Sequence, residues 1–352
     1  MRTPEDSCAA ESADKLSICQ EELFSLSSKA LAKLLPGRRL QCVRPLSEGR
    51  INSIYSLRLS DPDQTLVLRL RTIKNYNYEK GIIKDKSVTD MLSDRVRTPH
   101  VYAEDASRET FPCEATFLEY VEGENLAARE MSVEEARECG STLAEIHKTR
   151  LESFRTWDKA PQEGVTDWRG YYGRKIDANL DDLRDIDPSL AEKMRVFFLE
   201  NLHYIPDDTP PTLVHHDYHA GNLIKTPAGE ICVIDWDASS IAVAGIDLIK
   251  IRHLNFRNSP ERYRHFLSGY RAARGGDAAP ITYPALRVYE ALWLLRAMGF
   301  ESTHANPDPA YFPGVDYYRR TLTRIADESE PGTLLRSMRN GFQRSISSLP
   351  IS

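Results

Sequence analysis

Residues 213–237 read LVHHDYHAGNLIKTPAGEICVIDWD, and three side chains in this stretch could do chemistry together. Asn222 follows Asp217 by five residues, and Asp235 lies thirteen residues further on. Between Asn222 and Asp235 come the apolar pair Leu223-Ile224, a Thr-Pro-Ala-Gly turn and the run Ile-Cys-Val-Ile. That pattern predicts a β-hairpin, which would return Asn222 and Asp235 to one end, facing Asp217. The set then comprises a carboxylate, an amide oxygen and a second carboxylate. Hard oxygen donors suit Mg²⁺, which spans phosphate oxygens, while a further carboxylate orients the proton of an attacking hydroxyl. Phosphoryl transfer needs those parts and few others, because positioning and electrostatics supply most of its catalysis. The cluster His215, His216, Asp217 and His219 also permits a metallohydrolase reading, but zinc would need further ligands, and no partner motif stands elsewhere in the chain.

The elements that must position this segment fall into two groups. Glu21–Leu35 has the apolar spacing of an amphipathic helix, ended by Pro36-Gly37. LQCVRPL, SIYSLRL and TLVLRLR alternate in polarity, with a DPDQ turn between the last two, and predict an antiparallel sheet. A helical segment is expected at 78–92, then strands near Val101 and over 115–121. Beyond Gly123 the pattern becomes helical. Ser132 and Glu135 form a capping box ahead of Ala136, Cys139, Leu143 and Ile146, and helices are expected at 181–202 and 283–300. The expected organisation is a flexible segment over 1–20, a β-rich N-lobe over 21–122 and a helix-rich C-lobe over 123–352.

Composition narrows the partners. The 352 residues are 41% hydrophobic and 28% charged with net charge −6, and no run of five Lys or Arg occurs. A nucleic-acid footprint is therefore not expected. The apolar stretch 291–300 is interrupted by Arg296, and the first residues lack an apolar core, so neither a membrane span nor a secretory signal is expected. A cytoplasmic protein with reduced thiols follows, since no two of the six cysteines lie within four residues of each other. No obligate protein partner is evident.

H-x-D-x-x-x-x-N followed by D-W-D resembles the aminoglycoside phosphotransferase and choline-kinase-like family, relatives of the protein kinases. The resemblance runs over about residues 40–255. It implies an α+β, two-lobed, protein-kinase-like fold with an antiparallel β N-lobe and a mainly helical C-lobe. It implies Asp217 as catalytic base, Asn222 and Asp235 as metal ligands, and His215, Asp237 and Asp247 as supporting residues. FLEYVEGENL resembles the family's hinge, where the Glu119 carbonyl and Val121 N–H would meet adenine and Leu118 would act as gatekeeper. SEGRINSIYSL, from Ser47, resembles the nucleotide-positioning loop. Arg69 occupies the position of the phosphate-binding lysine, or else is a solvent-facing strand residue; its acidic helix partner would be Asp85 or Glu79. ATP is implied as donor, with GTP possible.

The resemblance implies an enzyme that phosphorylates a hydroxyl of a small molecule. An antibiotic or natural-product alcohol, such as an aminoglycoside, leads. A metabolic alcohol (choline, thiamine or a sugar) is the near alternative, and HHDYHAGN looks closest to small-alcohol and thiamine-type kinases. A non-catalytic nucleotide-binding module would have lost Asp217, Asn222 or Asp235, and a protein kinase would need more chain between Asp235 and GIDL. Asp277, Glu290, Glu301, Asp308 and Asp316 are candidates for recognising a cationic acceptor, and the aromatic run 310–318 could line a pocket or pack a core.

Overall fold

The computed structural model describes residues 16–49, 51–60, 63–72, 81–157, 159–275, 281–303 and 313–328. The chain divides into two compact units, one of residues 1–124 with 224–238, the other of 125–223 with 239–352.

The first unit is built on a five-stranded antiparallel sheet of β1 (Leu40–Glu48), β2 (Asn52–Ser60), β3 (Asp63–Arg71), β4 (Val101–Asp105) and β5 (Ala115–Glu119), in the order β1-β2-β3-β5-β4. Period-two alternation sorts its side chains. Leu66, Leu68 and Leu70 of β3 join Leu57, Leu59 and Phe117 in a fully buried core against α1 (Gln20–Leu34). Arg69 and Arg71, on the opposite face of β3, are buried as well, and that placement demands partners. Of the segment expected to be flexible, residues 1–15 lie outside the described residues; Leu16 and Ile18 pack against the core, and Leu16 donates its N–H to the Thr72 carbonyl at 2.8 Å. Helix α2 (Gly81–Leu92) follows, so Glu79 falls outside the described residues. The expected hairpin forms from β8 (Leu223–Lys225) and β9 (Ile231–Val233), and Gly229 at φ +86° makes the turn a side chain would strain.

The second unit is mainly helical: α3 (Val133–His147), α4 (Trp168–Ile186), α5 (Pro188–Asn201), α6 (Asp247–Leu254), α7 (Pro260–Arg274), α8 (Tyr283–Thr303) and α9 (Val315–Asp327). Both hydrogen bonds of the Ser132–Glu135 capping box form, at 3.1 and 2.8 Å. The helical pattern over 181–202 is carried by two helices, α4 and α5. Pro188 has no N–H for a continuing helix, so α4 stops at Ile186 and Asp187 caps α5 by accepting the Leu190 N–H. A strand pair, β7 (Thr212–Val214) with β10 (Ser240–Ala242), leads into and out of the informative segment. Helices α3 and α7 cross with their backbones touching. A Cβ on Gly140 would fall 1.9 Å from the Phe266 carbonyl oxygen, and one on Gly269 would fall 2.0 Å from that of Arg137. No helix among the described residues is long and apolar enough to cross a membrane.

Candidate active site

Asp217 sits in the loop that leaves β7. Its neighbour His216 adopts φ +61°, a left-handed conformation that costs a non-glycine residue about 1–3 kcal/mol unless its surroundings impose it. Asp247, at the start of α6, imposes it. One carboxylate oxygen accepts the His215 N–H at 2.6 Å and the other the His216 N–H at 2.7 Å. Asp247 is 1% exposed. Burial alone would raise its pKa, yet the His147 hydrogen bond and the nearby histidines hold it below its ordinary value. His147, last residue of α3, lies 3.2 Å from that carboxylate through Nε2 and 2.8 Å from the Tyr270 hydroxyl through Nδ1. Burial lowers the pKa of His147, so the ring is neutral: it donates to Asp247 and accepts from Tyr270. Tyr218 donates to the Cys139 carbonyl at 2.7 Å, which ties the loop to α3 a second time.

Within the loop the Asn222 side-chain nitrogen donates to the Asp217 carboxylate and to its carbonyl, each at 2.9 Å. That fixes the amide, with its oxygen turned away from Asp217. Lys250, one turn along α6 from Asp247, puts its ammonium against the other Asp217 oxygen. His219 lies 3.5 Å from the same carboxylate and accepts the Gly221 N–H. Among the described residues no group of three or more His, Cys, Asp or Glu is disposed to hold a metal.

The other candidate residues belong to the first unit. Arg69, buried on β3, pairs with Asp85 of α2 and lies 3.3 Å from Asp237 and 4.0 Å from Asp235. Asp237 is also met by Asn52, while Lys84 donates to its backbone carbonyl and Arg71 approaches to 3.7 Å. Burial would raise the Asp237 carboxyl, but Arg69, Arg71 and Lys84 outweigh it and hold it below its ordinary value. Asp235 differs. Its side chain is 42% exposed on a left-handed backbone, φ +59°. Trp236 is buried between the two aspartates in sequence and donates to the Val233 carbonyl. Asp237 is thus a buried anchor and Asp235 an accessible carboxylate. The Asp235 carboxylate and, in the other unit, the Asn222 amide oxygen are each hard donors of the kind Mg²⁺ accepts.

Leu118 is half-buried near the end of β5. The Glu119 side chain is engaged with Arg97 and the His100 N–H, while its backbone N–H donates to the His100 carbonyl. Val121 follows, half-exposed, and Ser47 is exposed near the end of β1, opposite Ile54.

Sequence reasoning missed Lys250, Lys84, Arg71 and Asn52. Lys250 had a local signal, since a residue three positions after Asp247 shares its helix face. Asn52 had none, because it meets Asp237 across 185 residues. Of the acidic candidates for a cationic acceptor, Glu301 is half-buried near the end of α8. Glu290 is buried and held by Arg252 and His253, each at 3.0 Å, Asp316 faces Arg319, and Asp277 and Asp308 lie outside the described residues. Of the aromatic run, Tyr317 and Tyr318 are described, and Tyr318 packs in the core.

Among curated proteins no sequence relative matches the chain. Solved structures share its fold at low identity. A spectinomycin phosphotransferase, crystallised with ADP and spectinomycin, is 17% identical with TM-score 0.55 and covers 90% of this chain and 99% of its own. Choline kinase from Streptococcus pneumoniae is 16% identical with TM-score 0.59, covering 87% and 99%. A macrolide 2'-phosphotransferase from Brachybacterium faecium is 17% identical with TM-score 0.57, covering 88% and 99%. The family model for the phosphotransferase enzymes, APH, matches residues 43–289, which is more than half of the chain and spans β-sheet, loop and supporting helices. The protein therefore belongs to the phosphotransferase enzyme family and is a phosphotransferase.

Proposed function

We propose that the chain moves the γ-phosphoryl group of ATP onto a hydroxyl of a small molecule, with Asp217 as the base. The observation that carries this reading is the hold on Asp217: Asn222 and Lys250 fix its carboxylate, and Asp247 pins the backbone before it. In the proposed step the acceptor oxygen attacks phosphorus, its proton passes to an Asp217 oxygen, and the bond to the β–γ bridging oxygen breaks to release ADP. Mg²⁺, when bound, neutralises charge that develops on the phosphate oxygens. Asn222 and Asp235 would hold it. Arg69, fixed by Asp85, presents a permanent positive charge for phosphate. Ser47, Leu118 and the backbone of Glu119 and Val121 would receive the nucleotide, and the ADP in the spectinomycin phosphotransferase supports ATP over an unrelated donor.

For the acceptor, a natural-product alcohol of the antibiotic kind is favoured by the spectinomycin and macrolide enzymes among the similar folds, and a metabolic alcohol by the choline kinase. The reading implies a cytoplasmic enzyme, where ATP and Mg²⁺ are supplied. Purified protein, ATP and Mg²⁺ should convert one member of pooled antibiotics, choline and thiamine into a product heavier by one phosphate. Asp217→Ala should then lower turnover by about 10²–10⁴-fold in protein whose thermal unfolding curve shows that it remains folded at the assay temperature. Near-normal turnover would remove Asp217 from the mechanism, and ATP binding with no turnover in any pool would favour a non-catalytic module.

A further inference from the structure

A cavity of about 440 Å³ opens among α6, α7, α8 and α9 of the helical unit. That volume lies within the range of small-molecule sites, about 300–1,000 Å³. Neither Asp217 nor Asn222 lines it, but α6 links the two places: Lys250 reaches Asp217, and Arg252 and His253 line the cavity. Among the described residues sixteen line it; six of these are arginines, and Glu290 is the only carboxylate. This concentration of positive charge occurs in a chain whose net charge is −6.

The arginines fall into two sets. Arg252 is matched by Glu290 and Arg287 by Glu328, so their charges are offset on the cavity's inner side. Glu290 is held at a pKa of about 2: burial would raise it, and His253 and Arg252 more than reverse that. Its charge is spent on those neighbours. The other four, Arg257, Arg264, Arg320 and Arg324, are exposed and come from three different stretches of chain. Among the described residues none of the four has a carboxylate partner; Arg257 lies over the Tyr317 ring at 5.4 Å. Arg320 and Arg324 stand four apart on one helix, where like charges cost a few tenths of a kcal/mol, about 0.2–0.5. Scattered over a flat surface, four solvated arginines would be ordinary. Gathered around one concavity, their fields add where water is partly excluded. Phe256, Tyr263 and Leu267 supply an apolar wall beneath them.

We propose that this cavity is a binding site for a small molecule with a planar or apolar body and a phosphate or carboxylate group. The arginines take the anion through charge-assisted hydrogen bonds, and the aromatic wall takes the body. A polycation such as an aminoglycoside is repelled there. The site is independent of the assignments made for Asp217 and ATP, because its occupancy is read without nucleotide or turnover.

The test is isothermal titration calorimetry of the full chain with 4-nitrophenyl phosphate, and with neutral 4-nitrobenzyl alcohol and choline for comparison. The phosphate should bind with a Kd below about 1 mM. Raising NaCl from about 0.05 to 0.5 M should weaken binding severalfold, since screening shortens the reach of exposed charge. Arg264 and Arg320 are exposed, so the double variant R264Q/R320Q should keep its fold, as its thermal unfolding would verify. Each charged contact is worth about tenfold, so that variant should bind on the order of a hundredfold more weakly. Arg271→Gln, an exposed change on α7 outside the cavity, should bind as before. Full affinity in the double variant, salt-independent binding by the unaltered chain, equal binding of the neutral alcohol, or preference for choline would each overturn the proposal.

Discussion

Replacing Asp247 by Ala separates the support of the Asp217 loop from the loop itself. The carboxylate is 1% exposed and accepts the His215 and His216 N–H groups and the His147 ring. Alanine would leave two buried backbone donors and one ring donor without an acceptor, each costing about 1–3 kcal/mol. Some of that returns, because His216 would be released from φ +61° and the loop could relax. The expected net loss is about 3–5 kcal/mol, the range for breaking a buried charged network and a large share of a typical domain's stability. Asp247→Asn keeps one acceptor oxygen and should lose roughly half as much. Urea unfolding followed by tryptophan fluorescence measures both, and hydrogen exchange at the His215 and His216 amides reports the loop directly. The acid limb provides an internal check. The Asp247 carboxyl is held below its ordinary value, so its contribution is full at neutral pH and fades as pH falls below about 4 toward its folded value. The variant should lack that portion of acid sensitivity. A loss under about 1 kcal/mol with unchanged amide protection would refute the claim that Asp247 imposes the loop's conformation.

Two further perturbations test other parts of the fold. Gly140→Ala should destabilise by about 3 kcal/mol or more, because its Cβ would meet the Phe266 carbonyl oxygen at 1.9 Å; an unchanged unfolding temperature would mean that α3 and α7 separate freely. Lys84 is brought down to about 8, by burial first and by Arg71 and Arg69, against the pull of Asp237. Between that value and the ordinary lysine pKa, near 10.4, the unfolded chain holds the proton that the folded chain has lost. Stability should therefore rise with pH across this window by more in the native chain than in Lys84→Met, measured as urea midpoints at pH 8 and 10; identical profiles would show that Lys84 keeps its proton in the fold.

Much of this architecture is legible in the chain because it rests on short-range rules. Alternation in TLVLRLR marks β3 with its leucines on one face and its arginines on the other, and Ser132-x-x-Glu135 marks the start of α3. The Leu223–Val233 hairpin likewise follows from its turn. What escaped depends on distant pairing. The strand before Asp217 pairs with β10 and not with the nearer hairpin, and no local pattern records that choice. Asn52 and Lys84 reach Asp237 across 185 and 153 residues. Glu290 is an attractive acceptor-binding acid in the sequence alone, yet Arg252 and His253 already hold it in the fold. Pro188, which lacks the N–H a continuing helix needs, marks the division within the helical pattern over 181–202.

The touching glycines of α3 and α7 make one mechanical part out of two helices. On α7, Arg264 stands at the mouth of the arginine-lined cavity and Tyr270 bonds to His147, six residues on and about 9 Å along the axis. On α3, His147 carries the contact to Asp247 and Cys139 the contact to Tyr218. With backbone against backbone there is no side-chain cushion to absorb a shift between them. Any displacement of α7 by an occupant of the cavity would be handed through Gly269 and Tyr270 to the residues that set the loop of Asp217. The crossing would act as a rigid lever arm, with the proposed ligand site at one end and the proposed base, Asp217, at the other.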